Sequence, residues 1–447
     1  MSLRVQPAFG ALTTTPIKAV AMPRFGSLPS QGVPRILRDN DMGYYITPYR
    51  MQYKHQWLWD AGYHALVLSQ FGDFAGARKE LESICSVQAE DGLIPHIHFN
   101  PDETLGYRPN AADWGTGRPA SGITQPPNLA TGLRAYYENS HDLDFVKQIF
   151  PKLLAYHQWL KNDREIDDNG LIAIVHPWEA GTDNSPIYDG LREKLLKERF
   201  SQATFPKRVD TQNIPAHQRP KDDDYKVYWG LISLFQQTGW DQKKMAQVSP
   251  FAVADPLMNT WWVKGNEDLA YLAKALGDDE TAKTLQGWAN ETRSTMRKTM
   301  WDKKDGIFYA YDFRAHEKIK IKTANSLVPL YAKIPTRWQA LRLTFQHLRN
   351  PNEFWAPAGI RTTSKNESAY DSQRYWRGPV WMNIQWMLAH GLRQYGFDHL
   401  ADTLVSKSEA LFRQSGYREY YDPDTGAGLG APEFSWSALV HVMPHRH

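Results

Sequence analysis

Three short steps, Gly72-Asp73, Gly277-Asp278 and Gly396-Phe397-Asp398, recur between stretches of helical periodicity. Glycine accepts the left-handed conformation that ends a helix, and aspartate caps the N–H groups that begin the next one. Each step therefore reads as the corner of a tight antiparallel helix pair. Around them the spacing predicts helices at 55–71, 73–88, 127–139, 142–163, 223–238, 255–276, 278–300, 323–333, 336–349, 379–395 and 398–415, with a shorter one at 434–443. In segment 260–275, Trp261, Trp262, Leu269, Leu272 and Ala273 fall at the spacing of a core-facing stripe. Strand signals are few, Leu171–Val175 and Ile307–Tyr311 among them.

Antiparallel pairs joined by long loops suggest an all-α toroid of two concentric helical rings, with the inner helix N-termini opening onto a central cleft. A plain bundle is one competitor. A repeat array is the other, but it should show a fixed period, and none is found. We read residues 38–447 as one catalytic-type domain and 1–37 as an N-terminal arm. Residues 1–38 carry no Asp or Glu and five Lys or Arg. That composition also fits an organellar transit peptide, although a disordered or surface-wrapping arm is the preferred reading.

The 52 basic residues against 49 acidic ones are scattered, which argues against a nucleic-acid partner. No apolar run approaches the roughly 18 residues of a membrane span, so no membrane partner is expected. A single cysteine, Cys85, cannot form an internal disulfide, which points to a reducing, cytoplasmic compartment. The chain has no Gly-rich phosphate loop, nucleophile elbow or Cys/His metal cluster, so no cofactor or metal is expected. His96 and His98 are read as structural. The composition is unusual in being 13% aromatic, with 17 Trp and 22 Tyr. Many of these lie in polar, turn-rich segments, favouring a cleft for a small-molecule carbohydrate. A homo-oligomer is left open.

The segment His176-Pro177-Trp178-Glu179-Ala180-Gly181-Thr182-Asp183-Asn184-Ser185-Pro186 sets a carboxylate, Asp183, on a Gly- and Pro-punctuated turn beside the flat wall of Trp178. Gly416-Tyr417-Arg418-Glu419-Tyr420-Tyr421-Asp422-Pro423-Asp424-Thr425-Gly426 repeats the design with Glu419. Two separately presented carboxylates among aromatics are what glycoside hydrolysis requires. The bland alternative is that both are capping or turn carboxylates.

Other segments look pocket-forming. In Tyr53-Lys54-His55-Gln56-Trp57-Leu58-Trp59-Asp60 two indoles at i and i+2 cannot share a helical face. The segment should therefore turn into its helix, leaving Trp57, Trp59 and Asp60 at the mouth of the ring. Gln125 precedes a Pro-Pro helix start and faces the same end. Residues 100–120, with Tyr107 and Trp114, are long enough to be a lid, or are a variable surface loop. Arg374-Tyr375-Trp376-Arg377-Gly378-Pro379-Val380-Trp381 clusters aromatics around a further helix start. Trp436 adds an indole whose alternative role is core packing. Arg219, before Pro220 and the run Asp222 to Asp224, either forks around a ligand carboxylate or pairs with that run.

Taken together, these motifs resemble glycoside hydrolase family 63, specifically its short members that hydrolyse mannosylglycerate and glucosylglycerate. Gln56–Asp60, Asp91–His96, Gly122–Pro127, His176–Pro186, Arg374–Trp381 and Gly416–Pro423 follow the family's order from about residue 36 to 443. One departure is Ala180, where the family usually has Ser. The resemblance implies an (α/α)6 barrel and an inverting mechanism on a small α-glycosylglycerate, with Asp183 as general acid and Glu419 as general base. It further implies that Tyr53, Trp57, Trp59, Asp60, Gln125, Tyr375, Trp376, Trp381 and Trp436 line the sugar subsite, and that Trp178 and Gly181 complete the substrate-binding set. Arg219 and Tyr225 would hold the glycerate carboxylate. An inverting pair of carboxyl groups stands roughly 6.5–9.5 Å apart. The rivals are a neutral α-glucosidase or trehalase-like hydrolase, a toroidal sugar isomerase or epimerase, and a non-catalytic sugar-binding protein.

Overall fold

The computed structural model describes residues 32–102 and 108–445. Its α-helices are α1 (Arg35–Asp39), α2 (Leu58–Gln70), α3 (Phe74–Ser86), α4 (Ala111–Trp114), α5 (Leu129–Ser140), α6 (Leu143–Asp163), α7 (Asp189–Leu195), α8 (Asp222–Gln237), α9 (Gln242–Val248), α10 (Pro256–Ala275), α11 (Asp279–Thr295), α12 (Arg337–Arg342), α13 (Met382–Gln394) and α14 (Asp398–Ser415).

Six elements close an inner ring: α2 packs on α5, α5 on α10, α10 on the turn Val328–Leu330, that turn on α13, α13 on the 3-10 segment Ser435–Val442, and that segment back on α2. Outside it lie α3, α6, α11, α12 and α14. Sequence decides which ring a helix joins. α2 is apolar on nearly every side and buries all of its residues but Gln70, whereas α11 buries only Ala282, Leu285, Ala289 and Thr292. A helix apolar all round belongs inside and one with a single apolar stripe belongs outside. This is the (α/α)6 barrel.

The corners form as their residues dictate. Gly72, Gly277 and Gly396 have φ of 76°, 80° and 77°. Asp73 and Asp278 then cap the following helices, accepting from Gly76 N and Thr281 N. At the third corner Phe397 occupies the cap instead, and Asp398 is the first helical residue.

Some expected elements differ. Residues 323–333 form two 3-10 turns, Ala324–Ser326 and Val328–Leu330. Pro329 lacks the N–H a longer helix needs there. The helix expected from 55 starts at Leu58, because Gln56–Trp57 pairs with Ile97–His98 as a short antiparallel strand. Leu171–Val175 makes only one bridge, Ile174 to Val253. Helices α1, α4, α7 and α9 were not foreseen, being too short to display a period. The 37/38 boundary of the N-terminal arm falls inside α1, whose Ile36 and Leu37 are buried. Residues 1–31 and 103–107, including Tyr107 of the expected lid, lie outside the described residues. Among the described residues no helix is long and apolar enough to cross a membrane.

Candidate active site

Residues at or just before the starts of inner elements converge on one end of the ring: Trp59 and Asp60 at α2, Gln125 before α5, Trp381 at α13 and Trp436 at the last segment. They line an inner cavity of about 60 Å³ together with Tyr53, Trp57, Gly181, Asp183, Tyr375, Trp376, Glu419, Pro48 and Phe434. It adjoins an outer cavity of about 100 Å³, sharing Tyr53, Trp57, Gln125, Asp183 and Tyr375 with it. Trp178, Arg219 and Tyr225 line the outer cavity. The residues singled out from sequence therefore meet in one two-part cleft, with Asp183 at the junction.

The inner walls are indoles held edge to face or stacked. Trp376 lies on Trp381 at 3.7 Å between ring centroids and 9° between planes. Trp59 meets Trp436 at 5.0 Å and 89°. Asp60 is buried on this wall, and among the described residues its Oδ1 has no hydrogen-bond partner. Burial pushes this carboxyl well above the usual carboxylate range. A buried acceptor of this kind wants a sugar hydroxyl.

Asp183 follows the 3-10 turn Pro177–Ala180, which is closed by Gly181 in the left-handed conformation at φ 71°. A Cβ on Gly181 would stand 2.6 Å from the Trp59 ring, so glycine is needed for both reasons. The turn is anchored from below by Glu179. Its carboxylate accepts from Arg164 Nη2 at 3.1 Å and Val175 N at 2.7 Å, with Arg164 and Glu179 both fully buried. Among the described residues no group beyond its own backbone donates to the Asp183 carboxyl. Burial pushes this carboxyl up to about 8, Arg219 opposes the shift, and Glu419 and Asp224 add to it. It thus holds its proton at neutral pH.

Glu419, by contrast, is surrounded by hydrogen-bond donors. It lies on the hairpin of Arg418–Tyr421 and Gly428–Pro432, where the register slips between Arg418 and Tyr420. Such an irregularity re-aims a side chain, here into the cavity. Tyr53 Oη donates to Glu419 Oε1 at 2.8 Å, Ala431 N to Oε2 at 2.8 Å, and Arg219 Nη1 to both oxygens at 2.9 and 3.1 Å. One ionic and two neutral donors thus hold both of its oxygens in place.

Arg219 therefore sits where sequence spacing did not place it. It does not pair with the run Asp222 to Asp224. It grips Glu419, donates from Nη2 to Tyr53 Oη at 2.8 Å, reaches Asp210 at 3.4 Å, and lies 4.2 Å over the Tyr375 ring. Asp210 is itself clasped by Arg208, which stacks 4.1 Å over Tyr225. Sequence reasoning passed over Lys207, Arg208 and Asp210. It also passed over Gly430, where a Cβ would stand 2.6 Å from Glu419 Oε2. Trp114, read as part of a lid, is fully buried 6.0 Å from Trp178. His96 bonds Ser121 Oγ at 2.6 Å and stacks on Trp178.

A protonated carboxyl and a clasped carboxylate that face one indole-walled cavity inside a double helical ring define a glycoside hydrolase. The crystal structure of the family 63 mannosylglycerate hydrolase from Thermus thermophilus in complex with Tris and D-glycerate superposes with a TM-score of 0.85 at 35% identity, over 92% of this chain and 98% of that one. In sequence, the mannosylglycerate hydrolase of Thermus thermophilus is 36% identical over 420 residues, 91% of this chain and 98% of its own. The glucosylglycerate hydrolase of Mycolicibacterium hassiacum is 28% identical, covering 91% and 95%. The family described as the mannosylglycerate hydrolase MGH1-like glycoside hydrolase domain matches residues 53–437, and the chain belongs to that branch of glycoside hydrolase family 63.

Proposed function

We propose that this enzyme hydrolyses a small α-glycosylglycerate, glucosyl or mannosyl, to hexose and glycerate with inversion at the anomeric carbon. The observation that carries the reading is the contrast between its two carboxyl groups: Asp183 is raised to about 8 without a neighbouring donor, and Glu419 is held by Arg219, Tyr53 and Ala431 N. Asp183 gives its proton to the leaving glycerate oxygen. Glu419 takes a proton from the water that attacks the opposite face. The hexose occupies the inner cavity, stacked on Trp59, Trp376 and Trp436 with Asp60 and Gln125 on its hydroxyls. Gly181 lets Trp59 close that wall, while Trp57, Tyr375 and Trp381 complete it.

Glycerate occupies the outer cavity, where Arg108, Lys207, Arg208 and Arg219 outnumber Asp183 and Asp210 and suit its carboxylate. Trp178 and Tyr225 form the apolar side. The role of Arg219 changes accordingly. With Glu419, Tyr53 and Asp210 already engaged, it orders the base first and meets the glycerate carboxylate only with its remaining N–H groups. The buried lone Cys85 suits a cytoplasmic location.

The test is an assay of the purified protein on glucosylglycerate, mannosylglycerate, trehalose and a nitrophenyl α-glucoside. Free glycerate is measured, and the first-formed anomer is read by NMR. Release of a β-hexose and glycerate supports the reading. Preference for either neutral substrate would move the enzyme to the trehalase or α-glucosidase class.

A further inference from the structure

A third cavity, of about 10 Å³, also touches Asp183, and Asn184, Ser185, Tyr228 and Asp224 line it. None of these four lines the sugar or glycerate cavities. Asn184, Ser185 and Tyr228 are each only 2% exposed, and among the described residues Asn184 Nδ2, Ser185 Oγ and Tyr228 Oη have no hydrogen-bond partner. Leaving three buried polar atoms unpaired on residues that line one cavity is costly.

Other contacts hold the three residues in place. Asn184 Oδ1 accepts from Trp376 N at 3.1 Å, which turns its Nδ2 elsewhere. Ser185 N donates to Thr182 O at 2.9 Å. Tyr228 packs 5.1 Å from Trp178, and its carbonyl accepts from His176 Nε2 at 3.0 Å. The acidic neighbour Asp224 is already satisfied by Arg192 Nη1 at 2.7 Å and Lys221 N at 2.6 Å. A cavity of roughly 10–15 Å³ with two to four polar partners is the minimum that holds one water molecule. At about 10 Å³ this cavity stands at the lower edge of that range, and three unpaired polar side chains line it.

We propose that a single structural water sits in this cavity and joins Tyr228, Ser185 and Asn184 to the Asp183 carboxyl, making these residues positioning groups for the proton donor. The inference rests on the reading of Asp183 as that donor. As the glycosidic C–O bond breaks, the Asp183 proton moves to the departing glycerate oxygen and leaves a carboxylate whose only donor among the described residues is its own backbone. The water donates one O–H to that carboxylate and the other to Ser185 Oγ, and it accepts from Tyr228 Oη and Asn184 Nδ2, so that their dipoles reach the new charge. The nucleophilic water's proton ends on Glu419, and solvent restores both groups before the next turnover.

The experiment compares two substrates: the preferred glycosylglycerate, whose alkoxide leaving group needs a proton, and the matching α-glycosyl fluoride, whose fluoride needs far less help. Tyr228→Phe and Ser185→Ala should each lower kcat on the glycosylglycerate about 10- to 100-fold, the range for losing a hydrogen bond to a charged group. With the fluoride the loss should stay within about threefold. Asp183→Ala should show the same selectivity more strongly. If Asp183→Ala loses both substrates alike, the proton-donor reading falls and this inference falls with it. If Asp183→Ala is selective but the other two variants lose both substrates equally, or neither, only the water bridge is overturned. A high-resolution crystal structure of the unmodified enzyme gives a second readout, since density for a water within hydrogen-bond distance of Tyr228 Oη and Asp183 supports the bridge and a dry cavity refutes it.

Discussion

Replacing Asp183 with asparagine should stabilise the folded enzyme in alkaline solution while removing about 10²- to 10⁴-fold of its activity on glycosylglycerates. Burial is the main reason the carboxyl is lifted from 3.8 to about 8. The unfolded chain releases this proton at the lower value and the folded enzyme at the upper one. Between them the folded state binds the extra proton, so stability falls as pH rises. Below the lower value the group contributes nothing, and above the upper value the whole cost is present. At about 1.4 kcal/mol per pH unit, the rise from about pH 5 to about pH 8 costs at most about 4 kcal/mol. Asp183 faces a solvent-connected cavity, so screening should leave about 2 kcal/mol. Asparagine has the same shape and never ionises. Urea unfolding of both proteins at about pH 5 and about pH 9 should show the variant gaining about 2 kcal/mol on the parent between the two conditions. A difference that does not change with pH would refute the argument, because the carboxyl would then be as well solvated in the cleft as in the unfolded chain.

Related expectations follow from the same geometry. For kcat/KM, activity should be lost as pH rises through about 8, where Asp183 surrenders its proton, and a profile flat to pH 10 would remove Asp183 from the donor role. Arg219→Met leaves Glu419 buried without its cation, a change worth roughly 3–5 kcal/mol in stability; it should depress kcat on glycosylglycerates and neutral glucosides alike, and a defect confined to glycosylglycerates would return Arg219 to a dedicated glycerate clamp. Lys207→Ala, at the exposed rim of the outer cavity, should raise KM for glycosylglycerates about 2- to 5-fold, as loss of an exposed ion pair does, and an equal rise with a nitrophenyl α-glucoside would count against its role. Gly181→Ala combines left-handed strain of about 1–2 kcal/mol with a methyl group driven into Trp59, so thermal unfolding should come earlier and kcat/KM should fall; unchanged activity would mean that Trp59 is not a sugar wall.

The helix corners were legible because a cap is a local device: Asp73 and Asp278 bond amides three residues on, and spacing alone reveals that. The switch between Trp57 and Trp59 was legible for a similar reason, since alternation and helical period exclude each other within two residues. What spacing does not encode is which groups share a cavity. Arg219 and Glu419 lie 200 positions apart in the chain, so the nearer run Asp222 to Asp224 looked like the natural partner. Asp210, Gly430 and the polar walls around Asp183 lack any periodic signal, because their meaning arises only when distant loops pack together. Three carboxyl groups of ordinary intrinsic acidity, Asp60, Asp183 and Glu419, line one inner cavity. Their chemistry diverges through surroundings alone. Among the described residues Glu419 has an arginine, a tyrosine hydroxyl and a backbone N–H, Asp183 has only its own backbone, and Asp60 has one buried oxygen without a partner. A motif can name the residue types, but donor and base are told apart by which of the two the fold supplies with hydrogen-bond donors, and that distribution is a property of packing.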